Sequence, residues 1–258
     1  MKQEALEVLK NRRAIRSYKP EQITDEELNA VLEAGLYAAT GAGKQGIRIL
    51  VVQKPEDVKE CNQRICHPKS QVLDHINYIK DNNILTLRMN EFEMWMDKRI
   101  NLPKSTLITI DDGWRMYIGI DLFEENEINA TVFLITSWFK EIKFLNDYKY
   151  IEFHSHGDNL HIAGKCPNGR GGLIKCLEKS KLLEDLALSR KKLGGSTAFC
   201  YPFYDYNDYA IAALKEAGFT MAFRGGQKKA SQNDNKYKIP RYEIFRSDTM
   251  EKIKNYIG

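Results

Sequence analysis

Short apolar runs alternate with amphipathic segments over most of the chain. From about residue 70 onward, the short runs of apolar and β-branched residues predict buried strands, and the longer segments with helical periodicity predict helices. The predicted strands are STLITI, NATVFLIT, YIEFHS, STAFCYP and FTMAF, and the predicted helices are QVLDHINYIKDN, NEFEMWMDK, MYIGIDLFEEN, GLIKCLEKSKLLEDLALSRKKLG and DYAIAALKEAG. Strands separated by helices form parallel β/α units, so the sequence predicts an α/β fold with a parallel sheet.

The first part of the chain, to about residue 60, has a different pattern that predicts two helices and then a strand. The second of these helices begins at the capping box Thr24-Asp25-Glu26-Glu27, in which Thr24 and Glu27 can satisfy each other's free amides. The loop TGAGKQG and the apolar strand IRILVVQ follow it.

Composition and charge indicate a packed globular protein. The 258 residues are 43% hydrophobic and 29% charged, with a formal net charge of +4. This small excess of positive charge does not favour nucleic acid as a partner, and the most basic stretch, residues 224–238, has the Gly, Asn, Gln and Ser content of a solvated loop. No apolar run approaches the roughly 18 residues of a transmembrane span. The charged, amphipathic N-terminus is unlike a signal peptide, so the expected location is the cytoplasm.

The five cysteines do not form a recognisable pattern. They are Cys61, Cys66, Cys166, Cys176 and Cys200, an odd number without a CxxC pair. We therefore expect neither a disulfide scaffold nor a structural zinc knuckle.

Candidate chemistry begins with two adjacent acids, Asp111 and Asp112, at the end of the strand STLITI. Side chains alternate along a strand, so neighbouring residues at its end face different ways. One carboxylate can then bind a metal ion while the other stays free to accept a proton. The residues alone leave open which acid does which, and also whether the acids simply form a polar turn with Gly113.

Histidines supply the other candidate ligands, because three of the five occur in EFHSHGDNLH after another apolar strand. His156 and His161 are five apart, which would place them ~140° apart on a helix, so a loop that brings both to one point is the better interpretation. His154 and His156 on one strand face are the alternative pair. One carboxylate and two imidazoles suit zinc or another divalent transition ion with positions left open for water.

Four segments carry a family resemblance: LPKSTLITIDDGW, NATVFLIT, IEFHSHGDNLH and FCYPFYDYNDYAIAALKEAGF. In order and spacing, residues 68–245 resemble the polysaccharide deacetylases, the NodB-homology or carbohydrate esterase family 4 group, and are most similar to the poly-N-acetylglucosamine deacetylases. The resemblance implies a distorted, incomplete (β/α) barrel over residues 63–258. It also implies a metal-dependent hydrolase that removes N-acetyl groups from polysaccharides or oligosaccharides containing N-acetylglucosamine, by attack of a metal-activated water on the amide carbonyl. Members of this family usually act outside the cell, so the resemblance leaves the location open.

The same resemblance assigns roles to the candidate residues. It makes Asp111 the catalytic base and makes Asp112, His156 and His161 the metal ligands. Zinc is the expected ion, with nickel, cobalt and iron as alternatives. For substrate contacts we expect aromatic side chains near the motifs, namely Trp114, Tyr201, Phe203 and Tyr204. We expect Trp138 to pack in the barrel wall and Glu152 to face a neighbouring helix.

Two departures from the family pattern bear on activity. In the segment CYPFY, Cys200 occupies the position of the arginine that usually orients the base, and Phe203 occupies that of a tyrosine whose amide binds the oxyanion. No histidine follows His161, so the usual general acid is missing, and only His67 or His75 could replace it. An alternative prediction is therefore a catalytically impaired carbohydrate-binding domain.

Residues 1–62 resemble the start of the nitroreductase family. The matching basic residues Arg12, Arg13 and Arg16 correspond to those that bind the FMN phosphate, and Gln45 matches a residue near the flavin. The resemblance stops after about 60 residues, too few to enclose a flavin. We therefore expect a truncated helical appendage without FMN, and an FMN-dependent oxidoreductase is the third hypothesis.

Overall fold

The computed structural model describes residues 24–36, 67–113 and 117–257. The chain divides into two units between Glu60 and Cys61, and each is described by itself. In the first unit, helix α1 spans Asp25–Leu36. Its predicted capping box is confirmed, since the Thr24 amide donates to Glu27 Oε2 at 2.9 Å and the Glu27 amide donates to Thr24 Oγ1 at 3.2 Å. The other predictions for the first unit, including the strand IRILVVQ and the residues matched to a flavin site, lie outside the described residues.

The second unit contains the predicted alternation of strands and helices. Its strands are β1 (Leu85–Thr86), β2 (Ser105–Thr106), β3 (Thr109–Ile110), β4 (Ala130–Leu134), β5 (Ile151–Ser155), β6 (Ala198–Cys200) and β7 (Met221–Phe223). Its helices are α2 (Lys69–Asp81), α3 (Met89–Met96), α4 (Tyr117–Glu125), α5 (Lys179–Lys192), α6 (Asp208–Glu216) and α7 (Met250–Ile257). None of the helices in the described ranges is long and apolar enough to cross a bilayer.

Five of the strands form one parallel sheet in the order β3-β4-β5-β6-β7, and β1 and β2 form a separate parallel pair. Spatial order therefore equals chain order, with α4, α5 and α6 as crossovers and an irregular connection between β4 and β5. This parallel sheet confirms the α/β fold predicted from the pattern, and its order fits the incomplete (β/α) barrel that the family resemblance implied. The carboxyl ends of all five strands meet at one edge, where sites form in folds of this class.

Both faces of strand β4, which lies between β3 and β5, are covered, and all five of its residues are buried. Val132 and Leu134 pack with Ile120 of α4 on one face. Phe133 points to the other face and packs with Phe223 of β7 and with the apolar side chains of α3. Strands buried on both sides explain why these segments are continuous apolar runs in the sequence.

Glu152 lies inside the fold and faces helix α3, as predicted. Its Oε1 accepts a hydrogen bond from the Met89 amide at 2.5 Å and another from Thr131 Oγ1 at 2.8 Å. Burial raises the pKa of this carboxyl. Glu152 therefore caps the first turn of α3 and takes no part in the carboxyl edge of the sheet.

Two predicted elements differ in extent from the observed ones. STLITI is not one strand, because β2 pairs with β1 while β3 pairs with β4, and the chain changes sheets at residues 107–108. The long helix predicted from residue 172 begins only at Lys179. Glu178 caps that start by accepting the amides of Ser180 and Lys181, and the residues before it form a loop.

A disulfide joins Cys166 to Cys176 across a sequence separation of 10, a bridge that the cysteine pattern did not predict. The bridge closes the loop that follows His161, while Cys200 is a free, buried thiol. This loop packs on the turn after β6, where Asp205 Oδ2 accepts the Gly172 amide at 2.8 Å and lies 3.3 Å from Lys175 Nζ. The bridge therefore helps to fix a loop that starts at a predicted metal ligand.

Replacing Cys166 and Cys176 together by serine should lower the free energy of unfolding by about 2–3 kcal/mol, because the open loop gains freedom in the unfolded chain. Urea denaturation of the oxidised wild type and of the double variant measures the difference. Wild type with a dithiol reductant should lose the same amount. Equal midpoints for all three samples would contradict a stabilising role.

Candidate metal centre and its acid pair

A tight turn at the end of β3 sends the two adjacent carboxylates to different partners. Asp112 has φ of 70° and Gly113 has φ of 80°, and the Gly113 amide donates to the Asp111 carbonyl at 2.9 Å. A Cβ on Gly113 would lie 2.3 Å from Cδ2 of Leu134, so only glycine fits there. The turn thus explains why glycine follows the acid pair in the sequence.

Asp112 faces the two histidines that follow β5. Its Oδ1 lies 3.2 Å from His156 Nε2 and 3.3 Å from His161 Nε2. Ligands of a tetrahedral zinc ion at bonds of 2.0–2.2 Å are ~3.4 Å apart, so this donor set fits such an ion. His156 Nδ1 is 2.7 Å from the Cys200 carbonyl and donates to it, which leaves Nε2 with a lone pair toward Asp112.

The loop between the two histidines is fixed by a carboxylate of helix α5. Asp185 accepts the Asp158 amide at 2.8 Å and the Asn159 amide at 2.7 Å. Asp158 Oδ1 in turn accepts a hydrogen bond from Thr136 Oγ1 at 2.5 Å and forms an ion pair with Lys192 Nζ, also at 2.5 Å. The predicted loop, rather than a helix, therefore presents His156 and His161, and its backbone is held from two sides.

His154, the alternative partner of His156, lies elsewhere. Its Nδ1 is 3.0 Å from Ser196 Oγ, and burial lowers its pKa to about 4. In the described part of the chain, the residues grouped with Asp112 by ligand distance are His156 and His161. The geometry thus favours the pair that the resemblance selected.

Asp111 forms a bidentate ion pair with Arg241, a residue that the sequence analysis did not identify. Arg241 Nη1 donates to Asp111 Oδ1 at 2.8 Å and Nη2 donates to Oδ2 at 2.6 Å. Burial opposes ionisation of Asp111, but the charge and hydrogen bonds of Arg241 outweigh it and lower the pKa to about 2. Because the ordinary value is 3.8, the pair stabilises the folded chain above that pH, and this stabilisation is lost as the pH falls toward 2.

Cys200 lies beneath this ion pair, at the position where the family pattern has an arginine. Its Sγ is 3.4 Å from Asp111 Oδ2 and 2.9 Å from Arg241 Nη2. Burial raises the pKa of the thiol well above its usual range, so Cys200 is neutral and donates its proton toward Asp111. The missing arginine is thus replaced by one from a later segment, and the expected loss of an orienting group is wrong.

Backbone pairing brings Arg241 to the site. Ile239 forms an isolated parallel bridge with Phe223 of β7, and its amide donates to the Ala222 carbonyl at 3.0 Å. Arg241 lies two residues beyond Ile239 and so emerges at the same carboxyl edge as the acids. The segment around Ile239 resembles a strand in sequence, and this was the signal that could have indicated Arg241. A single β-bridge involves too few residues to be predicted from alternating apolar and polar positions.

The predicted substrate contacts have different surroundings. Phe203 packs on His161 with ring centroids 4.2 Å apart. Tyr204 packs on Gly225 and lies under the Arg241 guanidinium. Tyr201 is fully buried and donates its hydroxyl to the Tyr237 carbonyl, so the prediction that it contacts sugar is wrong. Trp114 lies outside the described residues.

Trp138 is also placed differently from the prediction. It lies on the turn after β4 with 47% of its surface exposed, so it does not pack in the barrel wall. Its ring meets the His161 ring edge-on at a centroid distance of 5.7 Å.

Neither candidate for the missing general acid contacts the acid pair in the described structure. His67 lies between Gln71 Oε1 and the Ile244 carbonyl, at 3.2 Å from each. His75 is partly buried on α2, with an Nε2 that has no hydrogen-bond partner. Burial lowers the pKa of His75, and the nearby His67 lowers it further.

Comparison with known families agrees with both resemblances. Residues 98–222 match the family described as polysaccharide deacetylase, and residues 9–78 match the family described as nitroreductase. A poly-beta-1,6-N-acetyl-D-glucosamine N-deacetylase of Staphylococcus epidermidis is 25% identical over an alignment of 205 residues, with 71% of this chain and 69% of that protein covered.

Solved structures share the fold. A de-N-acetylase from Aggregatibacter actinomycetemcomitans has a TM-score of 0.59 at 22% identity and covers 72% of this chain and 87% of its own. A deacetylase of Streptococcus pyogenes in complex with acetate has a TM-score of 0.63 at 15% identity, over 81% of this chain and 94% of its own. These similarities confirm the predicted barrel.

Replacing Arg241 by methionine should cost about 2–3 kcal/mol of folding free energy, because it leaves the Asp111 carboxylate, whose side chain is only 24% exposed, without its partner. Arg241→Lys keeps the charge but loses the bidentate fork, so it should recover only part of the loss. Arg99→Met is the matched control, since Arg99 is 58% exposed and its pair with Asp97 should contribute less than ~1 kcal/mol. Equal urea midpoints for the Arg241 and Arg99 variants would contradict the assigned role.

Proposed function

We propose that this protein removes N-acetyl groups from a polymer containing N-acetylglucosamine. The premise is that residues 98–222 form a polysaccharide deacetylase domain, which makes the chain a hydrolase. The observation that carries the proposal is the approach of Asp112 Oδ1 to both His156 Nε2 and His161 Nε2, with an ionised carboxylate next to it in the chain. That arrangement suits hydrolysis of an amide, which needs an electrophilic centre and a base at one point.

Asp112, His156 and His161 would hold a divalent ion, and zinc is the ion that best suits one carboxylate and two imidazoles. When bound, such an ion supplies a Lewis acid that makes water more acidic and polarises a carbonyl. The protein contributes the orientation of the donors. The Cys200 carbonyl fixes the His156 ring, and Phe203 packs against the His161 ring.

Asp111 is the proposed base. Arg241 holds both of its oxygens, so the carboxylate has one orientation and remains ionised at neutral pH. Each carboxylate oxygen keeps accepting capacity beyond the bond to Arg241, so a water proton can still be taken. A carboxylate with a pKa of about 2 is a weak base, which is why the proposal includes a cation that acidifies the water.

The Phe203 amide is the proposed donor to the oxyanion of the tetrahedral intermediate. Phe203 has φ of 58°, inside the turn of residues 202–204 that follows β6. Hydrogen bonds to described residues engage the neighbouring amides of Tyr204 and Asp205, and the Phe203 amide has no such partner there. A preorganised donor at this place would stabilise the charge that develops on the former carbonyl oxygen.

We propose that Asp111 also protonates the leaving amine. Water gives its oxygen to the acetyl carbon and one proton to Asp111, the carbon–nitrogen bond breaks, and the same proton passes to the nitrogen. A protonated carboxyl with a low pKa gives up its proton readily, so the pairing with Arg241 favours this second transfer. The proposal does not need His67 or His75.

A second candidate is a carbohydrate-binding domain without turnover, favoured by the absence of any histidine after His161. This candidate has the same class of ligand as the proposed enzyme, but it predicts that the protein binds oligosaccharides without releasing acetate.

The disulfide bears on location. Cytosolic thiols are kept reduced, whereas the bridge between Cys166 and Cys176 needs an oxidising compartment to persist. We therefore propose that the domain acts outside the reducing cytosol, in place of the cytoplasmic location expected from the sequence. Thiol trapping in intact cells tests this, and a fully reduced pair would contradict it.

The proposed reaction predicts different defects for two variants. His156→Ala should lose the metal and the activity together. Asp111→Asn should keep the metal and lower the rate of acetate release by about 10²–10⁴-fold, because it removes proton transfer. Metal analysis and acetate release from acetylated chito-oligomers and from poly-N-acetylglucosamine measure both quantities.

His67→Gln is the control for loss of an imidazole, since His67 contacts Gln71 and the Ile244 carbonyl and not the acid pair. It should retain both metal and turnover. Acetate release that survives His156→Ala and Asp111→Asn would overturn the mechanism. Wild-type protein that binds the oligomers without releasing acetate would select the second candidate.

A further inference from the structure

Trp138 is a large aromatic side chain left exposed beside the candidate metal ligands. Nearly half of its surface, 47%, is accessible, whereas Tyr201 and Phe199 near the same sheet edge are completely buried. Its ring meets the His161 ring at an interplanar angle of 76°, and this contact leaves nearly half of the side chain accessible. Apolar area of this kind costs free energy in water and is available for a ligand.

The backbone under Trp138 is fixed to the histidine loop. The Thr136 amide donates to the Gly157 carbonyl at 3.0 Å, and the Ser137 amide donates to the Asp158 carbonyl at 3.1 Å. Thr136 Oγ1 also donates to the Asp158 carboxylate at 2.5 Å. The indole is thus carried on a short rigid turn whose position relative to His161 is set by hydrogen bonds on both sides.

His161 does not depend on Trp138 for its packing. The Phe203 ring lies against the imidazole at 4.2 Å, closer than the indole, and tilted by 36°. Asp112 approaches its Nε2 from the site. A side chain that is nearly half exposed, next to a candidate ligand already held by other residues, is better explained by contact with the substrate than by support of that ligand.

We propose that Trp138 binds the polysaccharide by packing its indole face against a pyranose ring next to the sugar whose N-acetyl group is cleaved. The C–H face of a pyranose is apolar and flat enough to cover an indole, and the indole N–H can donate to a sugar hydroxyl. This inference rests on the proposed function and makes it more specific. Trp138 then determines the preference for a polymer over a single sugar.

The test compares substrates of different length with Trp138→Ala and Trp138→Phe. For acetylated chito-oligomers, Trp138→Ala should raise KM about tenfold or more while kcat changes little, since a contact of ~1.5 kcal/mol or more is lost in both the ground and transition states. Trp138→Phe should recover most of the loss. On N-acetylglucosamine itself, which has no adjoining ring, the variants should match the wild type.

Trp95→Phe is the matched control, because Trp95 packs against Phe92 inside the fold. It should leave KM unchanged for every substrate. The metal content of Trp138→Ala distinguishes a role of Trp138 in substrate binding from a role in holding His161 in place. If Trp138→Ala loses metal, or if its KM for oligomers equals that of the wild type, the proposal is overturned.

Oligomer binding, measured by isothermal titration calorimetry in an Asp111→Asn background, separates this inference from the proposed reaction. Binding that weakens at least tenfold when Trp138→Ala is added supports the inference even if the wild type releases no acetate. Acetate release with unchanged oligomer binding in the Trp138 variants would leave the reaction in place and reject the inference.

Discussion

The site depends on a single backbone constraint, the left-handed turn that follows β3. Asp112 and Gly113 both have positive φ values, and Gly113 lies so close to Leu134 that no side chain fits. The turn directs Asp111 inward to Arg241 and Asp112 outward to the two histidines. Two identical side chains thereby acquire different environments, one paired with a guanidinium and the other facing two imidazoles.

The electrostatics of the site follow from this separation. Arg241 compensates the buried charge of Asp111, and the neutral Cys200 thiol fills the space beneath them. A guanidinium from the segment after β7 thus contacts Asp111, whereas the family pattern has its arginine at the position of Cys200, the last residue of β6. An ion pair with Asp111 requires the guanidinium to lie at one place in the structure, but the arginine that supplies it can come from different places in the sequence.

Much of the fold and the composition of the site could be predicted from the sequence. Alternating apolar runs identified the parallel sheet, and DDG with the histidine loop identified the residues that meet near Asp112. The disulfide, Arg241 and Trp138 could not be predicted in the same way. Each depends on residues that approach only after folding, and neither periodicity nor spacing reports which of several exposed or distant side chains will do so.

The pairing of Asp111 with Arg241 spans 130 positions, and this has a consequence for the order of events during synthesis. The ribosome delivers the chain from its N-terminus, so all five sheet strands emerge before the guanidinium does. Until then Asp111 must stay hydrated or take up a proton, and both states oppose dense packing around the strand tip. The ion pair at this strand tip can therefore form only after the segment that carries Arg241 has been synthesised.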